Sequence, residues 1–210
     1  EGINQKQINL LGTAVDVSSI IQSFKSLFAY ERGNKGFHRW SALKYFLFEY
    51  EEYLRNKAQE TNDKVTFDDY LETTIEHIIP QQFWDNWQDT VNGFTQGLDE
   101  EYKEQARKVL INSLGNLTIL KNGKNSSLGN KSWFDKKERF KTGSYNEINI
   151  SQQDTWSKYE IAQRGKEMLK FLESKITGLT FSDNEIEKVL FYDDFIINKI
   201  YDRSPAHNSV

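Results

Sequence analysis

The chain has 210 residues with no cysteine, one methionine, three histidines and a formal net charge of -4. The absence of cysteine excludes a disulfide framework, a cysteine nucleophile and thiolate-held zinc or iron–sulfur, so stability must come from packing one large or two small domains. A 37% hydrophobic share and a mean hydropathy of -0.72 describe a globular protein with a charged surface, and no apolar run approaches the roughly 18 residues that cross a membrane.

Residues 1–15 are polar and turn-like, and EGINQKQINL has neither the pattern of a signal peptide nor an initiator methionine. We therefore expect a piece of a longer, cytoplasmic protein without a membrane segment. Ile20, Ile21, Phe24, Leu27 and Phe28 recur at helical spacing behind Asp16 or Ser18 as N-cap, and Glu31 to Gly36 breaks that helix. Trp40, Leu43, Leu47, Tyr50 and Leu54 make the apolar stripe of a longer helix, and Gln59 to Lys64 reads as a loop. The β-branched run Thr73 to Pro80 predicts a short strand stopped by proline.

An irregular, acidic and aromatic stretch follows over 81–97, then a helix marked by Leu98, Tyr102, Ala106, Val109 and Leu110. Gly115 to Leu120 predicts a second strand, with Leu117 and Ile119 on one face and Asn116 and Thr118 on the other. Residues 121–130 read as an Asn-, Gly- and Ser-rich loop. Ser132 with Asp135 forms a capping-box pattern that opens a helix carrying Trp133, Phe134 and Phe140. A turn-rich stretch over 142–155 precedes two helices, one carrying Ile161, Met168, Leu169, Leu172 and Ile176, the other Ile186, Val189, Leu190, Ile197 and Ile200. Residues 204–210 read as a frayed end.

Of the histidines, His207 lies in that end, His38 stands beside a helix start in a Gly-rich context, and His77 follows Glu76 at the end of the first strand. Imidazole is the side chain best suited to take a proton near neutral pH. Strand alternation sends Glu76 and His77 to opposite faces, so a shared site requires the backbone to distort at the strand's end. The second constellation is Asn116-Leu-Thr-Ile-Leu120 with Asn125 nine positions after Asn116.

Together, Glu76-His-Ile-Ile-Pro80, Asn116 to Leu120 and Asn125 resemble the HNH endonuclease family, whose ββα-metal element orders the same pieces in the same way. Within that family the chain is most similar to the C-terminal nuclease domain of GmrSD-type modification-dependent restriction proteins. The resemblance covers Glu76 to Gln81, Leu114 to Leu120 and Asn130 to Lys137, and the phosphorothioate-sensing Ssp defence effectors are similar in arrangement. It implies an α+β, mostly helical fold: an HNH core over 73–141 with a helical insertion, an N-terminal helical region over 1–72 and C-terminal helices over 142–210, in one compact domain.

The function implied is metal-dependent endonuclease activity on DNA, by nicking or double-strand cleavage, as the effector of a bacterial anti-phage or modification-dependent restriction system. An upstream sensor or nucleotide-hydrolysing domain of the same protein would be its partner. The resemblance makes His77 the general base, Glu76 and Asn125 the ligands of one Mg2+ or Mn2+, and Asn116 a bridge across the motif. Read alone, Asn116 fits a turn asparagine after Gly115 nearly as well. Asn130 is a second ligand or a helix cap. Glu76 and Asn125 offer hard oxygens, which suit these ions, and without cysteine there is no structural zinc.

From Asn116 to Lys141, Lys121, Lys124, Lys131, Lys136, Lys137, Arg139 and Lys141 stand against two acids, Asp135 and Glu138. With Asn130, Lys121, Lys124, Lys131, Lys136 and Lys137 are the expected DNA contacts. The alternatives are a non-catalytic DNA-binding or protein-docking module with the same shape, or a ribonuclease.

Overall fold

Two five-residue strands, β1 (Thr73–His77) and β2 (Leu117–Lys121), pair antiparallel in a register that runs from Thr73 opposite Lys121 to His77 opposite Leu117. The remaining elements in the computed structural model, which describes residues 16–28 and 36–203, are helical. Before β1 come α1 (Val17–Ser26), a 3-10 turn (Gly36–Arg39), α2 (Leu43–Lys57) and α3 (Phe67–Leu71). Between the strands lie α4 (Gln88–Thr95), α5 (Glu100–Ile111) and a second 3-10 turn (Leu114–Asn116). After β2 follow α6 (Asn122–Leu128), α7 (Trp133–Phe140), α8 (Tyr145–Ser151), α9 (Lys158–Lys175), α10 (Asp183–Phe191) and α11 (Asp194–Ile200). The fold is α+β and mostly helical, as expected from the sequence. The turn-like residues 1–15, the helix break over 31–35 and the frayed end with His207 lie outside the described residues.

Local chemistry accounts for most helix starts. Asp16 caps α1 by accepting from the Ser18 amide, and reciprocal capping boxes open α3 (Thr66 with Asp69), α8 (Ser144 with Glu147), α9 (Ser157 with Glu160) and α10 (Ser182 with Glu185). Ser132 caps α7 by accepting from the Asp135 amide, while the Asp135 carboxylate answers the serine hydroxyl. On α2 the buried stripe is Leu43, Phe46, Leu47, Tyr50 and Leu54, one face at helical period.

Three helices replace expected irregular segments. α4 forms inside 81–97, because Val91 and Phe94 bury one side of it. α6 forms from the polar NGKNSSL, where tertiary contacts with both strands override poor intrinsic propensity and Gly129 ends it at φ 38°. α8 forms inside 142–155, its first amides held by Glu51 of α2, whose carboxylate accepts from Tyr145 N and Asn146 N at 2.7 Å each. The last expected helix is two, because Tyr192 at φ 62° ends α10 and Asp193 caps α11.

β2 is covered on both sides: Leu117, Thr118, Ile119 and Leu120 are all buried, so the expected polar face at Thr118 lies in the interior. α2 packs on β2, α6 packs on both strands, and α9 crosses the turn before β2. That crossing explains Gly115. A Cβ there would stand 1.9 Å from the Ile161 carbonyl oxygen of α9.

Candidate active site at the end of β1

The β1–β2 ladder stops at His77, short of the expected end at Pro80, and the Asn116 side chain takes over from it. Its Oδ1 accepts from Ile79 N at 2.8 Å and from Trp156 Nε1 at 3.2 Å, while Nδ2 donates to the carbonyls of Ile79 at 2.9 Å and Ile111 at 2.8 Å. The Asn116 backbone carbonyl also accepts from Ile78 N at 2.9 Å. Fully buried, the amide replaces main-chain pairing for a segment about to turn away, and so fixes the backbone just beyond His77. Arg164 of α9 holds the other side of this turn, donating to Gly115 O at 2.7 Å and Leu117 O at 2.8 Å. Burial pushes its guanidinium down to about 10.

His77 is 8% exposed and directed at the end of α5. Its Nε2 stands 3.0 Å from Asn112 Oδ1, and Asn112 Nδ2 donates to Lys108 O at 3.0 Å, which sets the amide so that its oxygen faces the ring. In the tautomer that donates from Nε2 to this oxygen, the neutral ring's lone pair is on Nδ1. Gln81 Nε2 lies 3.5 Å from the same Nε2. His38 stacks on the ring, centroids 4.9 Å apart, carried there by the 3-10 turn whose Phe37 N donates to Asn112 O at 3.0 Å. Asn112 therefore organises both histidines, one through its side chain and one through its backbone. Sequence reasoning missed Asn112 and left His38 without a chemical setting. The one available signal was the position of Asn112 four residues before Asn116, at the end of a helix leading into the motif.

Glu76 faces the opposite way, as strand alternation requires, and the backbone keeps its regular register instead of distorting to join it to His77. Its Oε1 accepts from Lys136 Nζ at 2.7 Å, and the same ammonium donates to His77 O at 3.1 Å and Ile78 O at 3.0 Å. Lys136 has no exposed surface, yet all three of its protons are used. Burial pushes the Glu76 carboxyl up and the Lys136 ammonium down from their ordinary values, and the contact between them opposes both. The expected DNA contact at Lys136 is therefore corrected: this lysine is an internal strut.

Asn125 on α6 donates from Nδ2 to Thr74 Oγ1 at 2.7 Å and reaches Ile75 O at 3.5 Å. Thr74 and Glu76 share one face of β1, so Asn125 is moored to the Glu76 side of the strand and away from His77. No described hydrogen bond joins Asn125 to Glu76. The donor set nevertheless suits a hard divalent ion. Asn125 spends its nitrogen on the strand and keeps Oδ1, and the Glu76 carboxylate, which accepts from Lys136 Nζ and from the His77 amide, has further lone pairs to offer a cation.

The remaining basic residues are less free than their count suggests. Lys121 pairs with Asp69 at 2.8 Å, Lys124 with Glu147, Lys137 with Asp154 at 3.1 Å and Lys141 with Glu138 at 2.5 Å. Lys121 and hydrogen bonds from Thr66 hold the Asp69 carboxyl down at about 2. Among the described residues, Lys131 and Arg139 are the two cations of this segment with no ion pair. Asn130 is not the cap of α7, a place taken by Ser132. The carbonyls of Asn130 and Lys131 instead accept from Asn86 Nδ2 and Trp87 Nε1, each at 2.9 Å, tying this segment to the loop that follows β1.

The family model described as GmrSD restriction endonucleases, C-terminal domain, matches residues 19–171. No curated protein and no solved structure matches the chain. The matched span contains β1, β2, α6, α7, both histidines of the site and Arg164.

Proposed function

The chain belongs to the GmrSD restriction endonuclease C-terminal domain family, and from that premise we propose that it is an HNH-type, metal-dependent endonuclease that hydrolyses phosphodiester bonds in DNA. The observation that carries this reading is the orientation of His77. An imidazole at the end of a strand, with Nε2–H directed at Asn112 Oδ1, holds its basic nitrogen in one orientation before substrate arrives.

His77 Nδ1 takes a proton from the attacking water, whose oxygen forms the new bond to phosphorus. The bond from phosphorus to the 3′ oxygen breaks, the leaving oxygen acquires a proton from solvent, and the products carry 5′-phosphate and 3′-hydroxyl ends. The Glu76 carboxylate and Asn125 Oδ1 are the groups that would hold one Mg2+ or Mn2+, which supplies charge neutralisation for the phosphoryl oxygens and the leaving group. Asn116 keeps the backbone of residues 77–79 in place for both halves of the site. Lys131 and Arg139 offer charge to flanking phosphates, and Lys121 and Lys137 do so by exchanging a solvent-accessible carboxylate for a phosphate, whereas Lys124 would have to leave the buried carboxylate of Glu147. No helix among the described residues is long and apolar enough to cross a membrane. The biological role we propose is that of the cutting module of a modification-dependent restriction or anti-phage system, gated by an upstream domain of the same protein.

Plasmid incubated with the purified chain should be relaxed or linearised in Mg2+ or Mn2+ and remain supercoiled in EDTA, and His77→Ala should lose the activity while keeping its fold. Full cleavage by His77→Ala, or cleavage unaffected by EDTA, would refute the assignment. Cleavage of RNA in preference to DNA would reassign the substrate.

A further inference from the structure

The Glu76–Lys136 pair has a consequence for how a metal could load. At the candidate ligands, Glu76 contributes one negative charge, Lys136 one positive charge 2.7 Å from it, and Asn125 none. The local sum is zero, and it stays zero if the pair exchanges its proton internally. No cluster of three or more His, Asp or Glu side chains stands ready for a cation among the described residues. Mg2+ gives up its water reluctantly, and sites of this size hold it with one or two carboxylates together with substrate phosphates. A site with no net negative charge has little to offer such an ion alone.

We propose that Lys136 is a positioning residue that makes metal binding conditional on DNA: its ammonium cancels the charge of Glu76, so that a divalent ion is retained only when a phosphate joins Glu76 and Asn125. This rests on the HNH reading above. By linkage, DNA tightens the metal and the metal tightens DNA by the same factor. The free domain would then hold its metal weakly and be silent until a phosphodiester enters. The strut also explains why a lysine is buried here at all: it fastens the carbonyls of His77 and Ile78 while it neutralises Glu76.

The test is Mn2+ binding to the intact chain, followed by electron paramagnetic resonance of the free ion, with and without a 20-base-pair duplex. Glu76→Gln with the same duplex serves as the blank for ions condensed on DNA. The wild type should bind Mn2+ at least about tenfold more tightly with duplex than without. Lys136→Met and Lys136→Gln, which leave Glu76 with its charge uncompensated, should bind Mn2+ in the absence of DNA and be raised in melting temperature by it, while the wild type is not. The double variant Glu76→Gln/Lys136→Met should lose that response. Equal wild-type affinity with and without duplex overturns the role of Lys136 but leaves the metal site standing. So does a folded Lys136→Met that binds Mn2+ no better than the wild type. Mn2+ uptake with duplex no greater than the Glu76→Gln blank overturns the metal site itself. If neither lysine variant folds, the wild-type comparison decides alone.

Discussion

Replacing Asn116 by alanine separates a structural from a chemical reading of the second motif. The side chain has no exposed surface and makes four hydrogen bonds, so its removal strands Ile79 N, Ile79 O, Ile111 O and Trp156 Nε1 in the interior. Each buried polar group left unsatisfied costs about 1–3 kcal/mol, and even at the low end the sum is about 4 kcal/mol. For a chain of this size that is a fall in melting temperature of about 8–16 °C, well outside the error of calorimetry. Asn116→Asp keeps the two acceptor contacts but sets a carboxylate oxygen against two carbonyls, so it should also be destabilised. Its carboxyl, raised by burial, should make its stability recover as pH falls and the group becomes able to donate. The assay is differential scanning calorimetry beside plasmid cleavage for Asn116→Ala and His77→Ala. We expect His77→Ala to lose cleavage with a small change in melting temperature, and Asn116→Ala to lose cleavage with a large one. An Asn116→Ala variant that melts within about 2 °C of wild type and still fails to cut would show that the amide acts on substrate, and the bridging argument would be wrong.

Asn112→Ala should reduce the cleavage rate about 10- to 100-fold by freeing the His77 ring, and cost about 1 kcal/mol of stability in urea; an unchanged rate and pH profile would remove Asn112 from the site. Gly115→Ala should destabilise by about 3 kcal/mol in the same titration, because its Cβ meets a main-chain oxygen of α9 that no side-chain rotation can move, and wild-type stability would mean that the crossing relaxes at little cost. The Asp69 carboxyl should titrate near 2 by NMR, and Lys121→Ala should bring it back toward 3.8. Because its folded value is depressed, its contribution to stability is present above about pH 4 and lost as pH falls toward 2. An Asp69 value that ignores Lys121→Ala would show that the pair is not formed in solution.

The parts of the fold legible in the sequence were those set by local rules. The stripe of α2 and the capping serine of α7 form where expected, and both strands form within shifted bounds: β1 ends at His77 instead of Pro80, and Gly115 and Asn116, expected in the second strand, lie in the 3-10 turn before it. Non-local rules hid the rest. The polar segment of α6 has no stripe, and it is helical because Asn125 and Leu128 find partners on the strands and in the core. The start of α8 depends on a carboxylate 94 positions earlier in the chain. In the site, His77, Asn116 and Glu76 could be named from their motif, whereas Asn112 and His38 could not, since what brings them to His77 is the approach of α5 and a 3-10 turn in space.

Charge shows the same division most sharply. Along the sequence, 116–141 is a block of seven cations facing two acids, a pattern that reads as a phosphate-binding surface. In space, Asp69, Glu76, Glu147 and Asp154, none of which lies in that block, come to Lys121, Lys136, Lys124 and Lys137. Pairs with a solvent-accessible carboxylate, Lys121–Asp69 and Lys137–Asp154, are worth little and exchange readily, so these two lysines can still turn to DNA at modest cost. Lys136 cannot, because its partner and both of its carbonyls are buried with it. A linear count of charge therefore overstates the field at the surface and misses what sets Lys136 apart, that the fold turns it inward against the carboxylate of the motif.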